Sequence, residues 1–404
     1  MAGRRRVSNR NRGGCFVALG ALLAVVSGCG SGGQAPPPDS RSAAVQQVLD
    51  RRAAAVLGHD SAAYEATGGA DPYLLLDLAE VPLDSWAYRL TRLDGSGSRV
   101  SADVELRYRV DGYDQAPVVA ARTLTLRRED GRWQVIADEP AKKSGRQLWE
   151  QGRITAVKGA HSLVLGVGQQ RNVLRGYADI ADDAVPAVED AWGKDWARKV
   201  VVLVPKSLDG MGQLLGAPAS GYQGIAAVTT GEAGGSGAAP ADRVILNPEA
   251  YGVLGAFGKQ VVLTHETAHV ATRAVTSAAT PLWLSEGYAD WTGYRNAGRT
   301  PAQAAPELQR SVQDGSAPAT LPEDADFGFS GDASKLARAY ESGWLACRMI
   351  AEQWSEAKLN SFYVAVGGHK QRSGAVEGAL LSVLGIDEQD FVARWRAYVR
   401  AELG

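Results

Sequence analysis

The spacing of apolar positions changes repeatedly along the chain. An unbroken apolar run, "CFVALGALLAVVSG", ends at residue 28 and is too short to cross a bilayer as a stable helix. Residues 43–57, "AAVQQVLDRRAAAVL", place apolar side chains three and four apart, which predicts an amphipathic helix. From Trp86 the period falls to two in "WAYRLTRL", "SRVSADVELRYRV", "PVVAARTLTLRRE" and "RWQVIAD", so four strands are expected. The last two are separated by Asp130-Gly131, a hairpin turn pair. A helix followed by an antiparallel meander predicts a small α+β domain over residues 42–140. Residues 141–160 are polar and read as a connector. Beyond them "HSLVLGVG" is a strand candidate, residues 172–192 have helical period, and "KVVVLVP" is a strongly apolar strand. "GIAAVT" and "RVIL" are two further strands, either of which could offer a sheet edge to an extended ligand. After Asn247 the pattern is helical to the C-terminus. Strands first and helices after predict a second α+β domain over residues 161–404, with a sheet lobe and a helical lobe.

Composition narrows the function. Hydrophobic residues make up 45% and charged residues 22% of the 404 positions, the mix of soluble globular domains. The formal net charge of −2 supplies no basic field for nucleic acid. Arginines do cluster at Arg4, Arg5, Arg6, Arg10 and Arg12, where they form the positive head of an export signal ahead of the apolar run. That run closes on "VSGC", residues 26–29, which resembles the bacterial lipobox. The resemblance implies cleavage of a signal peptide, residues 1–28, ahead of a diacylglyceryl-bearing Cys29. The flexible tether at 29–41 contains "GSGGQAPPPDS". The expected location is extracytoplasmic, lipid-anchored to the bacterial cell membrane. An ordinary secretory signal or a single-pass anchor are the competing readings. Cys15 would leave with the signal, so Cys347, in the helix-like "GWLACRMIAEQW", is the one remaining thiol and no internal disulfide can form. The Gly-rich "TTGEAGGSGAAPAD" lacks the GxxxxGK[ST] pattern, which argues against phosphate binding.

The chemistry sits in "VVLTHETAHV", residues 261–270. Only five histidines occur in the chain, and two of them, His265 and His269, lie four apart in an apolar helix. Positions four apart share one helix face, so both imidazoles can reach one ion while Glu266 falls beside it as a general base. A catalytic zinc takes a third protein ligand and keeps one position open. Glu286, seventeen residues past His269 in "TPLWLSEGYADW", is the candidate. Thr280 is placed to cap that second helix, with Pro281 as its first residue. Asp290, four further on, shares the face of Glu286 and can accept the remaining ring N–H of a ligating histidine. His161 and His369 have no ligand spacing and are expected to be structural or surface residues.

"HETAH" followed by "WLSEGYADW" resembles the gluzincin metallopeptidases, the group containing thermolysin and aminopeptidase N, and within it the compact peptidase MA-like domains. That resemblance spans residues 159–404. It implies one zinc per chain held by His265, His269 and Glu286, Glu266 as the base, and Asp290 as the supporting acid. It also implies that Tyr340, in "AYESGW", steadies the developing oxyanion. The spacing between the motifs is slightly shorter than in the aminopeptidases, and their Gly-x-Met-Glu-Asn segment is absent, so aminopeptidase specificity does not follow. The N-terminal pattern resembles the NTF2-like group, implying a curved sheet wrapped around helices and a spacer or interaction role.

Three functions fit these residues. The first is a tethered zinc metallopeptidase acting on a peptide or protein substrate. The second is an inactive gluzincin-like binding or assembly module of the cell envelope, which the intact Glu266 argues against. The third is a zinc hydrolase of non-peptide substrates.

Overall fold

The computed structural model describes residues 40–230, 241–328 and 332–404. The export signal, Cys29 and most of the Gly-rich loop lie outside the described residues. The chain is mixed α+β. Helix α1 (Ser40–Leu57) buries Val45, Val48, Leu49, Arg52, Ala53 and Val56, a stripe at helical spacing. It lies on the meander of β1 (Leu83–Asp94), β2 (Arg99–Val110), β3 (Val118–Glu129) and β4 (Arg132–Pro140), antiparallel in that order. Alternation is strict in β2, where Val100, Ala102, Val104, Leu106, Tyr108 and Val110 all face inward. Asp130 and Gly131 join β3 to β4 with φ of 48° and 79°, the left-handed pair that a two-residue hairpin needs.

Residues 141–160, expected as a polar connector, are built into both halves. Leu148 and Trp149 join the core of the first sheet, and β5 (Thr155–Lys158) belongs to the second. The second sheet runs β5-β6-β7-β9-β8, with β6 (Ser162–Gly166), β7 (Val200–Val204) and β9 (Val244–Leu246) parallel, and β5 and β8 (Ala227–Thr229) antiparallel at the edges. β6 and β9 are buried at every position, as central strands covered on both faces are. "RVIL" is therefore an inner strand, and of the two edge candidates only "GIAAVT" lies at the border.

Helix α2 (Arg171–Trp192) packs its Leu174, Tyr177, Ala178, Ala181, Val185 and Val188 stripe between this sheet and helix α3 (Ala256–Thr272). Helix α4 (Leu282–Tyr294) follows α3 and crosses α5 (Ala333–Gln353) at backbone distance. A Cβ on Gly287 would stand 2.3 Å from the Gly343 carbonyl oxygen, and one on Gly343 2.5 Å from that of Trp283. Only glycine permits this crossing. Around it Trp283, Leu284, Tyr288, Leu345, Ile350, Phe362, Tyr363 and Trp395 form the helical core. Cys347 lies inside that core, fully buried, with burial raising its thiol pKa well above the usual value. Among the described residues no helix is long and apolar enough to cross a membrane.

Candidate metal centre

Helix α3 is buried on most of its circumference, so each of its polar groups needs a partner. The threonines turn inward on their own helix: Thr267 Oγ1 donates to the Leu263 carbonyl at 2.7 Å, and Thr272 Oγ1 to that of Ala268 at 3.0 Å. His265 and His269 instead face each other, their Nε2 atoms 3.0 Å apart. Glu286, carried in by α4, brings Oε2 to 3.3 Å from His265 Nε2 and 3.5 Å from His269 Nε2. Three donors at about 2.0–2.1 Å from one tetrahedral ion stand about 3.3 Å from one another. The observed triangle has that size, and its donor set of two imidazoles and a carboxylate suits zinc.

The surroundings of the triangle ask for positive charge. His265 Nδ1 lies 2.8 Å from Asp290 Oδ1, which fixes the proton on Nδ1 and turns the Nε2 lone pair toward the centre. Burial works against a charged His265, but Asp290 and Glu286 outweigh it and raise the pKa well above the ordinary histidine range. Burial likewise pushes Glu286 upward, and the two imidazoles more than reverse it, holding its carboxyl far below the usual carboxylate range.

Glu266 is buried at 4% exposure, next to the ligands and outside their triangle. Its carboxylate is held by Thr229, the last residue of edge strand β8, whose Oγ1 is 2.6 Å from Glu266 Oε2. Sequence reasoning missed Thr229. Its one signal was a hydroxyl ending an otherwise apolar strand. Tyr340, on α5 one turn before the Gly343 crossing, sets its ring 6.3 Å from that of His265 and 5.2 Å from that of Phe327. His161 precedes β6, and exposed His369 pairs with the Gln371 carbonyl; neither belongs to the triad.

Thr280 does not cap α4. Pro281 occupies the cap position, Thr280 Oγ1 accepts from Ser277 N, and the first helical N–H, that of Leu282, is taken by Asp324 Oδ1 at 2.9 Å. A proline cap has no side-chain acceptor, so the partner comes from elsewhere in the chain. A cleft of about 910 Å³, lined by Asp138, Glu150 and Asp209 among others, contains none of the metal-site side chains. Donor chemistry, not cavity size, marks the site.

No family model matches the chain, and no curated protein does. Solved structures do match at low similarity, and those compared are zinc metallopeptidases and a hydrolase. Native yeast LTA4 hydrolase aligns with a TM-score of 0.38 and 11% identity over 67% of this chain and 43% of its own. A mutant M1 zinc metallopeptidase from Deinococcus radiodurans, bound to a Tyr-Ser-Ala substrate, aligns at 0.34 and 13% over 76% and 62%. A mutant two-domain M1 zinc metallopeptidase bound to L-arginine aligns at 0.34 and 14% over 69% and 60%. The chain thus spans less than two thirds of each of these proteins.

Proposed function

We propose that this chain is a zinc-dependent peptidase that binds one ion through His265, His269 and Glu286 and is held at the cell envelope through Cys29. The observation that carries the reading is the donor triangle with a buried carboxylate, Glu266, beside it and outside it. When bound, zinc supplies Lewis acidity and lowers the pKa of a water to near neutrality. Glu266 takes a proton from the attacking water and delivers it to the departing amine nitrogen. Asp290 keeps the His265 ring in the tautomer that presents Nε2. The Tyr340 hydroxyl donates to the carbonyl oxygen as negative charge grows on it. An extended peptide adds to the outer side of β8, whose inner side is paired with β9, and so lies next to Thr229 and Glu266.

The test is metal analysis of the purified chain with digestion of a peptide library by wild type and Glu266→Gln. Both proteins should hold about one zinc per chain, and the variant should cleave at least ~10²-fold more slowly. Zinc-loaded wild type that cleaves nothing in a broad library would sink the proposal.

A further inference from the structure

The strand that holds Glu266 is itself held from the first sheet. Residues 111–114, the turn between β2 and β3, lie along the starts of the parallel strands. Tyr113 Oη donates to the Ser162 carbonyl at 2.9 Å at the head of β6, and Lys199 Nζ, just before β7, donates to the Gly112 carbonyl at 2.8 Å. At the head of β9, Arg243 grips Asp114 with two parallel bonds, Nη1 to Oδ1 and Nη2 to Oδ2, both 2.7 Å. Asp114 Oδ2 also accepts from Val110 N at 2.7 Å, so its carboxylate is anchored in its own turn. The side chains are 1% and 7% exposed.

From Arg243 the connection continues to the metal helix. Arg243 N donates to Thr230 Oγ1, and Thr230 N to the Arg243 carbonyl, each at 2.8 Å, closing the β8–β9 pair one residue beyond Thr229. Asp242, the neighbour of Arg243, accepts from Arg273 Nε at 3.1 Å. Arg273 directly follows α3, and its Nη2 donates to the Thr230 carbonyl at 2.8 Å. The ends of β8 and β9 are thus clamped between a carboxylate of the β2–β3 turn and the C-terminus of the helix bearing His265, Glu266 and His269.

We infer that the first sheet is a working part of the hydrolytic site: Asp114, in its β2–β3 turn, acts through Arg243 to fix the edge strand whose Thr229 orients Glu266, which makes Asp114 and Arg243 positioning residues. This rests on the peptidase reading; the sequence alone suggested a spacer or interaction role for that part of the chain. Two-pronged contacts fix orientation as well as distance, and small displacements of a reacting group cost up to about 10²-fold in rate.

The experiment uses the full chain and three variants. Asp114→Asn strands a buried guanidinium and can compromise folding. Arg243→Lys keeps the opposite charges and loses the fork, whereas Arg243→Met removes both and leaves the buried Asp114 carboxylate only the Val110 N–H, a cost to folding as well. Zinc content, amide hydrogen exchange and, on a peptide that wild type cleaves, kcat and KM are measured. Zinc should stay at about one per chain. Exchange in residues 226–230 and 243–247 should rise ~10-fold or more, while α4 and α5 keep their protection. The kcat should fall ~10–10²-fold with a smaller change in KM, Arg243→Lys retaining more than Arg243→Met. Wild-type exchange in residues 226–230 and 243–247 of both Arg243 variants overturns the inference, as does an unchanged kcat in both at full zinc. If wild type cleaves no peptide, the peptidase reading fails alone. The exchange result then decides whether Asp114 and Arg243 hold the edge strand.

Discussion

At the first sheet Arg122 lies between Asp138 and Glu150, at 2.7 and 3.0 Å, all three nearly buried. In the other half of the molecule, Glu286 and Asp290 face two imidazoles across similar distances. Both clusters hold two carboxylates at or near full burial, and a close pair of such carboxylates is balanced by a cation. In the first the chain supplies it as a guanidinium, and the cluster is complete as folded. In the second the chain supplies two imidazoles and two carboxylates and no permanent cation. A buried charge cluster that lacks its own permanent cation is the one to examine for function.

The largest test of this contrast exchanges the consequences of losing a member. His269→Ala should abolish most zinc binding and peptide hydrolysis, a loss on the order of 10³-fold or more in rate, with a folded protein by circular dichroism. Arg122→Met should do the opposite. It takes the shared guanidinium from Asp138 and Glu150 and leaves Glu150 only the Gln147 N–H, costing about 3–5 kcal/mol in denaturant unfolding, while zinc content stays at wild-type level. Equal zinc loss in the two variants would erase the distinction.

Within the metal cluster, Tyr340→Phe should lower kcat by about 10²-fold with zinc retained, as expected for one lost oxyanion donor. An unchanged rate would make the tyrosine a packing partner of Phe327. Asp290→Asn should weaken zinc binding about 10–100-fold in a chelator competition, because the His265 tautomer loses its enforcing partner.

The smallest effect comes from a half-buried carboxyl that has no ion pair among the described residues. Glu341, beside Tyr340, accepts from Glu307 N and Leu308 N, yet burial pushes its pKa up to about 7. A folded-state value above the unfolded one means that the native state binds the extra proton. Its contribution is therefore harmless below about pH 4.5 and increasingly destabilising as pH rises through 7. Glu341→Gln should raise stability at pH 8 by ~1 kcal/mol and leave it unchanged near pH 4, read from urea midpoints at both pH values.

The parts of this molecule legible in its sequence are those governed by short periods. The alternation of β2 and the four-residue intervals His265–His269 and Glu286–Asp290 are properties of a single strand or helix, and the structure places them as their spacing demands. What was hidden depends on chain brought from afar. β8 and β9 are three residues each, too short to carry a signal of edge or interior. Thr229 meets Glu266 across 37 positions, Asp324 caps α4 across 42, and Arg243 meets Asp114 across 129. The 141–160 segment looks polar because its few apolar residues are split between two cores.

The depth of Cys347 has a practical consequence. From residue 40 onward the sequence contains no other cysteine, and this thiol is sealed inside the helical core. A thiol reagent can reach it only when that core opens, so the rate of alkylation in native buffer is a clock for opening of the helical lobe alone. The same position makes the chain a clean background for spectroscopy. A cysteine introduced on the surface, at Val253 for example, which is 85% exposed, would take a fluorophore or spin label while Cys347 stays dark.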